Sequence, residues 1–325
     1  ALALVSSIKD STVMALDLQG DYLHLTLPPD KIVEPRVFNP LSEIMVITPI
    51  TRTYLEEYGE RIGRFADEYV SNEVGDESVG LSDVDDPYLF GRAVSYALLR
   101  EFVERSYGGN AKITNVNSEV EVKSKGNDVY DVYIGSISAN ISVDNTSFGL
   151  KLIPWALNFV NVYRELPRLF PIFSYRVGMV FDKVISMAMD LVSKNTHGSK
   201  YMDFDALMNK INYVASAANK IKLSPSQIDN IIRGLNMIES IGIIDVKLNA
   251  EWFQGPQFNV IFDEPDYQEI FRGFIDVDLR LFREEPFAAS VIVYRILDRV
   301  FSVRDLELKS GLEPRPTFIL IDEAH

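Results

Sequence analysis

Residues 317–325 read Thr-Phe-Ile-Leu-Ile-Asp-Glu-Ala-His. The apolar run Phe318–Ile321 has the length of a buried β-strand. It ends in two adjacent carboxylates, Asp322 and Glu323, and ligands of open α/β sheets bind at the carboxyl ends of the strands. The first acid can hold the Mg²⁺ of a nucleotide through water, and the second can orient or deprotonate an attacking water. The alternative interpretation is a strand that ends in two solvated acids.

Three further short apolar runs predict buried parallel strands. They are Thr12–Leu16, Ile44–Thr48 and Gly273–Asp278. A helical pattern over Pro286–Asp305 precedes the final strand at 317–321. Strands that alternate with helices predict an α/β fold, with a parallel sheet covered on both faces. On the third run we expect Asp276 to be a polar group in the core and Asp278 to be an exposed strand end.

The two halves of this predicted sheet come from opposite ends of the chain. About two hundred residues separate them, which is far more than a normal connection between elements. We therefore predict a discontinuous core of residues 1–50 and 260–325 and an inserted lobe of residues 51–259.

The inserted lobe has a mixed pattern. Thr51–Tyr69 and Pro87–Tyr107 have apolar residues at helical spacing, and period-two alternation predicts a β-meander at about 112–143. The pattern over 155–241 is helical again. Its last helix, Pro225–Ser240, begins with an N-cap serine, a proline at the first helical position and a capping-box glutamine.

Composition excludes several kinds of site. The 325 residues, 47% apolar and 24% charged, are ordinary for a globular protein. Because cysteine is absent and the three histidines are scattered, we expect no disulfide or thiolate metal site and a cytoplasmic location. No apolar run reaches about 18 residues, so we expect no membrane span. The net charge of −15 argues against a protein that coats nucleic acid, although a ring could still grip DNA in its pore.

A second motif follows the first predicted strand, where residues 17–22 read Asp-Leu-Gln-Gly-Asp-Tyr. Alone, these letters also fit an ordinary turn with an aspartate cap. A strand that closes on D-x-x-G-[DE]-Y, with a later strand that ends in ILIDEAH, resembles the HerA-like members of the HerA/FtsK group of hexameric DNA-pumping ATPases. The resemblance covers about 100 core residues clearly, and the insertion is only loosely similar.

The resemblance implies a RecA-like P-loop NTPase core that carries a large mixed helical and β insertion. It implies an ATP-driven double-stranded DNA translocase or helicase in DNA repair or end processing, with ATP and Mg²⁺ as cofactors. Asp322 would hold the Mg²⁺ through water and Glu323 would activate water. Separately from the resemblance, His325 could polarise or position Glu323; the alternative is a histidine that is simply exposed. Asp17, Asp21 and Tyr22 would shape the nucleotide edge or a subunit interface. The implied partners are DNA in a ring pore, further copies in a homo-hexamer, and a nuclease.

The chain departs from the family pattern in one respect. A Walker A loop needs G-x-x-x-x-G-K-[ST], and these 325 residues contain no Gly-Lys dipeptide. We expect that loop directly upstream of Ala1, and the sensor strand and the trans-acting arginine after His325. The chain by itself is therefore expected to be inactive.

Two alternatives stay open. One is a conjugation or secretion ATPase of the same superfamily, which neighbouring membrane-channel genes would favour. The other is a non-catalytic interaction domain, in which the final acids are a relic and the acidic loop at 71–86 binds a protein partner.

If nucleic acid is bound, residues 151–225 are the best candidate surface, because they hold ten Lys/Arg against five Asp/Glu. This segment mixes aromatic residues with basic ones, as in Trp155, Phe159, Phe170 and Arg168.

Overall fold

A computed structural model describes residues 11–28, 40–126, 129–170, 224–244 and 258–321. Between these ranges it also describes positions 178, 181, 183–188, 190, 209–211, 213, 214 and 246. Asp322, Glu323 and His325 lie outside the described residues.

Eight strands form one sheet in the described parts of the chain. They are β1 (Thr12–Asp17), β2 (Glu43–Pro49), β3 (Lys112–Gly126), β4 (Val129–Val143), β5 (Thr146–Trp155), β6 (Phe258–Phe262), β7 (Gly273–Asp278) and β8 (Thr317–Ile321). The order is β3-β4-β5-β2-β7-β1-β8, and β6 pairs with β4. The neighbours from β5 to β8 run parallel, so the prediction that the four core strands share one parallel sheet is confirmed.

Four of the helices were predicted and begin within one residue of the expected positions, although two of them end four or five residues later than expected; the short helix Tyr267–Ile270 was not predicted. Those described in full are α1 (Arg52–Val74), α2 (Pro87–Tyr107), α3 (Phe159–Val162), α4 (Leu166–Leu169), α5 (Pro225–Ile241), α6 (Tyr267–Ile270) and α7 (Pro286–Lys309). The predicted capping box of α5 is present, because Ser224 and Gln227 each accept a hydrogen bond from the backbone N–H of the other. Gly242 ends this helix in the left-handed conformation, with φ of 65°.

Both faces of the sheet are covered at its centre, as the apolar runs predict. Strand β8 lies at the edge of the sheet and is not the buried strand expected from the sequence, since Phe318 is 39% and Ile321 is 55% exposed. On β1, Met14 and Leu16 pack into one core, together with the buried faces of α5 and α7. Val13 and Ala15 point the other way and pack into a second core, together with α1 and α2. The molecule is therefore an α/β protein with a mixed central sheet between helices.

The strands of the predicted inserted lobe do not form a sheet of their own. The antiparallel pairing predicted at 112–143 is confirmed, but β4 continues into β5, and β5 pairs in parallel with the core strand β2. Strands β5 and β6 were not predicted. The division into core and lobe stays a prediction, since one sheet crosses the proposed boundary. None of the helices in the described ranges has both the length and the apolarity needed to cross a bilayer.

Candidate functional site

Asp17 ends β1 and shapes the turn that follows it. Its side chain is fully buried. Oδ1 accepts hydrogen bonds from the backbone N–H groups of Gln19 at 3.0 Å and Gly20 at 2.6 Å, and Oδ2 accepts one from Tyr22 at 3.0 Å. Three backbone donors therefore satisfy this carboxylate within its own loop. The aspartate-capped turn that the sequence allowed is present, and Asp17 acts on the site by positioning the loop.

Gly20 gives this turn its shape and its close contact with Arg280. Its φ of 88° lies in the left-handed region, which disfavours residues with a Cβ. A Cβ at this position would also lie 2.8 Å from Cδ of Arg280. The turn after β1 and the arginine after β7 are therefore packed against each other.

Asp278, the last residue of β7, is a buried ion-pair partner and not the exposed strand end expected from the sequence. Its Oδ1 accepts from Nε of Arg280 at 2.7 Å, and its Oδ2 accepts from Arg280 at 2.8 Å and from Arg105 at 3.2 Å. Burial alone would raise the pKa of Asp278. The hydrogen bonds from Arg280 and the charges of both arginines outweigh burial and lower that pKa to about 2.

Asp276 lies two residues earlier on the same face of β7 and has the opposite electrostatic surroundings. It is fully buried, as expected from the sequence, and neither carboxylate oxygen has a hydrogen-bond partner in the described part of the chain. Burial raises its pKa well above the usual range. The charges of Asp17 and Asp278 raise it further, and Arg280 opposes them. The site therefore favours the neutral acid at Asp276.

A buried polar network ties this edge of the sheet to the helices that cover it. Arg105 of α2 also donates to Glu101 at 3.0 Å, and Glu101 accepts from the hydroxyl of Tyr54 on α1 at 2.7 Å. Burial and the neighbouring Glu101 raise the pKa of Tyr54 well above its usual range. Arg280 donates to the hydroxyl of Ser106 at 3.0 Å. The positions of α1 and α2 are thus coupled to the carboxyl end of β7.

The other predicted site residues divide into two groups. Asp21 is exposed and Tyr22 is partly buried, both on the turn that Asp17 shapes. Asp322, Glu323 and His325 lie outside the described residues, but the strand that precedes them is described. Leu16 pairs with Ile321 in the parallel register of β1 and β8, so these strands end at the same edge of the sheet. Within the described ranges no group of three His, Cys, Asp or Glu side chains could hold a metal ion.

Three aromatic residues from the segment considered for nucleic acid lie in the core. Trp155, Phe159 and Phe170 are fully buried in the core shared with α5 and α7. Arg168 is exposed but already bonds to Tyr294 and Asp298 on α7. These side chains therefore stabilise the packing of α4 against α7.

Arg280, Arg105, Glu101 and Tyr54 were not predicted as site residues. The short spacing between Asp278 and Arg280 is a signal that could have indicated an ion pair at the strand end. The other three lie on helices, with no local pattern that connects them to β7.

The chain was compared with protein-family models, with characterised proteins and with solved structures, and nothing matched. No relative therefore assigns a function to this edge of the sheet.

Proposed function

We propose that the chain forms the nucleotide-hydrolysing sheet of a RecA-like ATPase of HerA type, which moves along double-stranded DNA. One observation carries the proposal: β1 and β8 are parallel neighbours, and Leu16 and Ile321 are paired at the same edge. In the sequence each of these strands continues into a motif rich in acids, at 17–22 and at 322–323. The carboxyl edge of a parallel sheet is where open α/β folds bind ligands.

The site residues have different proposed roles, which follow from their side-chain chemistry. Asp322 would hold the Mg²⁺ of ATP through water, Glu323 would accept a proton from the attacking water, and His325 would position Glu323. Asp17 is a positioning residue, since its carboxylate is already bonded to three backbone N–H groups. Asp21 and Tyr22, on the turn that Asp17 shapes, face the nucleotide edge or a neighbouring subunit.

The phosphate groups of ATP need positive charge that this sequence does not supply in the usual form, since it has no Gly-Lys dipeptide. A phosphate-binding loop elsewhere in the protein and an arginine from a neighbouring subunit would provide it. Such an arginine is worth about 10³ to 10⁵ in rate in related systems. DNA, the hexameric ring and a nuclease partner rest on the sequence resemblance.

The test is the substitution Glu323→Gln in the complete gene product. Glutamine keeps the shape of the side chain and removes the base. ATP should still bind, and turnover at saturating DNA should fall by at least about a hundredfold, a typical contribution of general-base catalysis. The matched control, Glu77→Gln, removes one exposed carboxylate from the acidic loop and should leave turnover unchanged. Full turnover of the Glu323 variant would refute the catalytic assignment and favour an interaction domain.

A further inference from the structure

Away from the carboxyl edge of β1, the sheet contains a fork. Strand β4 pairs with β6 from Tyr130 to Ile134 and with β5 from Ile137 to Val143. Beside this point a cavity of about 610 Å³ opens between residues of β3, β4 and β5 and the segment 263–270 that follows β6. We call it the fork cleft, and its walls include Glu119, Glu121, Tyr133, Pro154, Asp263 and Glu269. Ligand sites in proteins commonly have volumes of about 300–1,000 Å³.

The backbone around the fork cleft departs from regular sheet pairing. The register between β3 and β4 shifts at Gly135 and Ser136, and the side chain of Glu119 accepts a hydrogen bond from the N–H of Ser136 at 3.2 Å. On β5 the carbonyl of Trp155 accepts from Ile50, so Trp155 faces β2 and the preceding Pro154 faces the cleft side. A proline offers a carbonyl acceptor there and no N–H donor.

The charge of the fork cleft is strongly negative. One ammonium, that of Lys151, lines it against six carboxylates, from Glu119, Glu121, Asp263, Glu264, Asp266 and Glu269. Arg295 is buried behind the cleft and is paired with Glu264, and Lys123 is paired with Glu121. The other four carboxylates give the cleft its negative charge. Asp266 and Glu269 are exposed on the rim. Ile153 and Ile270 lie beneath the lining and are almost fully buried.

The chain places one of its own ammonium groups against this wall. Nζ of Lys123 lies 3.0 Å from Oε1 of Glu121 and 4.4 Å from the ring centroid of Tyr133. This combination of a carboxylate with an aromatic face is a recurring way to bind an alkylammonium group. The pKa of the Tyr133 hydroxyl is raised to about 12, first by burial and then by the charges of Asp131, Asp263 and Glu121. The wall is therefore already suited to a cation on an aliphatic stem.

We propose that the fork cleft binds the ammonium or guanidinium group of a lysine- or arginine-containing peptide segment of a partner protein. The carboxylates pair with the cationic head, and the aliphatic stem packs on the half-buried ring of Tyr133. A peptide fits better than a free ion, because the divergent strands and the Pro154 carbonyl offer polar backbone groups beside the charged wall. This site does not depend on ATP hydrolysis and is measured without nucleotide.

The test is a calorimetric titration of the protein at low ionic strength with an acetylated, amidated tetralysine peptide. The double variant Glu121→Gln/Glu269→Gln removes two cleft charges, and Glu73→Gln/Glu77→Gln removes two exposed charges outside the cleft. We expect the cleft variant to weaken binding by about fivefold, equivalent to about 1 kcal/mol. The control pair makes the same change in net charge away from the cleft, so it measures the non-specific attraction alone. It should change the affinity by less than about twofold.

Absence of binding, or an equal loss in the two double variants, would overturn the proposal. Zero-length carbodiimide cross-linking gives a second readout, and the peptide amines should couple to Glu121, Asp263 or Glu269. A parallel titration with spermine, which carries the same four positive charges as the peptide, separates the two sources of alkylammonium groups. Weaker binding of spermine supports a peptide, whereas equal or tighter binding would overturn the peptide as the natural ligand.

Discussion

Asp17, Asp276 and Asp278 lie close together at the ends of β1 and β7, and their side chains differ in hydrogen bonding. Asp17 is satisfied by backbone N–H groups, and Asp278 by two arginines. Asp276 has no hydrogen-bond partner in the described part of the chain and lies beside the other two charges. A third ionised carboxylate here would be costly, so burial and its neighbours favour the neutral form.

This difference predicts the pH dependence of an Asp276→Asn variant. A folded-state pKa above the unfolded value means that the contribution of Asp276 to stability is fully present below about pH 4 and is lost as the pH rises towards the folded pKa. Asparagine does not titrate. In urea unfolding, the stability of the variant relative to the parent should therefore increase with pH above about 4, by up to about 1.4 kcal/mol per pH unit.

The control is Asp85→Asn, which changes an exposed carboxylate in the acidic loop. The difference in unfolding free energy between this variant and the parent should stay constant between pH 5 and pH 8, to within about 0.5 kcal/mol. A flat profile for Asp276→Asn over the same range would contradict the assignment of a raised pKa to Asp276.

At the scale of elements, the turn at 17–22 is held from both sides. Asp17 bonds to its backbone from within, and Arg280 packs against Gly20 from the end of β7. Since Arg280 is also paired with Asp278, a displacement of the turn disturbs the ion pair. The geometry of the site therefore depends on two elements that are adjacent in the sheet but distant in the sequence.

The substitution Gly20→Ala tests this coupling, with Gly75→Ala as the matched control. Both glycines have positive φ, 88° and 76°, but a Cβ at Gly75 has no atom within 4 Å. The unfolding free energy of the control should fall only by the cost of the backbone strain that alanine introduces, about 1–2 kcal/mol. Gly20→Ala should lose at least about 1 kcal/mol more, because the new methyl group displaces Arg280. Equal losses in chemical unfolding would contradict the close packing.

Elements with local signals were predicted well, and those without them were not. The start of α5 was predicted because Ser224, Pro225 and Gln227 are adjacent in the sequence. Strand β5 was missed because Pro154 and Lys151 interrupt its apolar pattern; Pro154 is tolerated because β4 no longer pairs with β5 there. The expectation for Asp278 was wrong because the nearby Arg280 was not considered as its partner and its second partner, Arg105, is 173 residues away.

At the scale of the whole molecule, one sheet joins the two ends of the chain. Strands β1, β2 and β7 were predictable because strands buried on both faces form bounded apolar runs. Strand β8 has the same apolar pattern, but it lies at the sheet edge with Phe318 and Ile321 exposed, so the pattern predicted the strand and not its burial. The attachment of β3, β4 and β5 to the same sheet was not, since it depends on the pairing of β5 with β2. The proposed nucleotide edge at β1 and β8 and the fork cleft beside β5 are separated in this sheet by β2 and β7.

The central proposal is that nucleotide binds at the edge where β1 and β8 end, and hydrogen exchange measured by mass spectrometry tests it most directly. The complete gene product is compared with and without Mg²⁺ and a non-hydrolysable ATP analogue at saturating concentration. The amides of residues 18–22 should exchange at least about tenfold more slowly with the analogue, since a ligand bound to the folded state suppresses local opening. A peptide covering the acidic loop at 75–86 serves as the internal reference and should be unchanged. Unaltered exchange at residues 18–22 while the analogue is demonstrably bound would contradict the account.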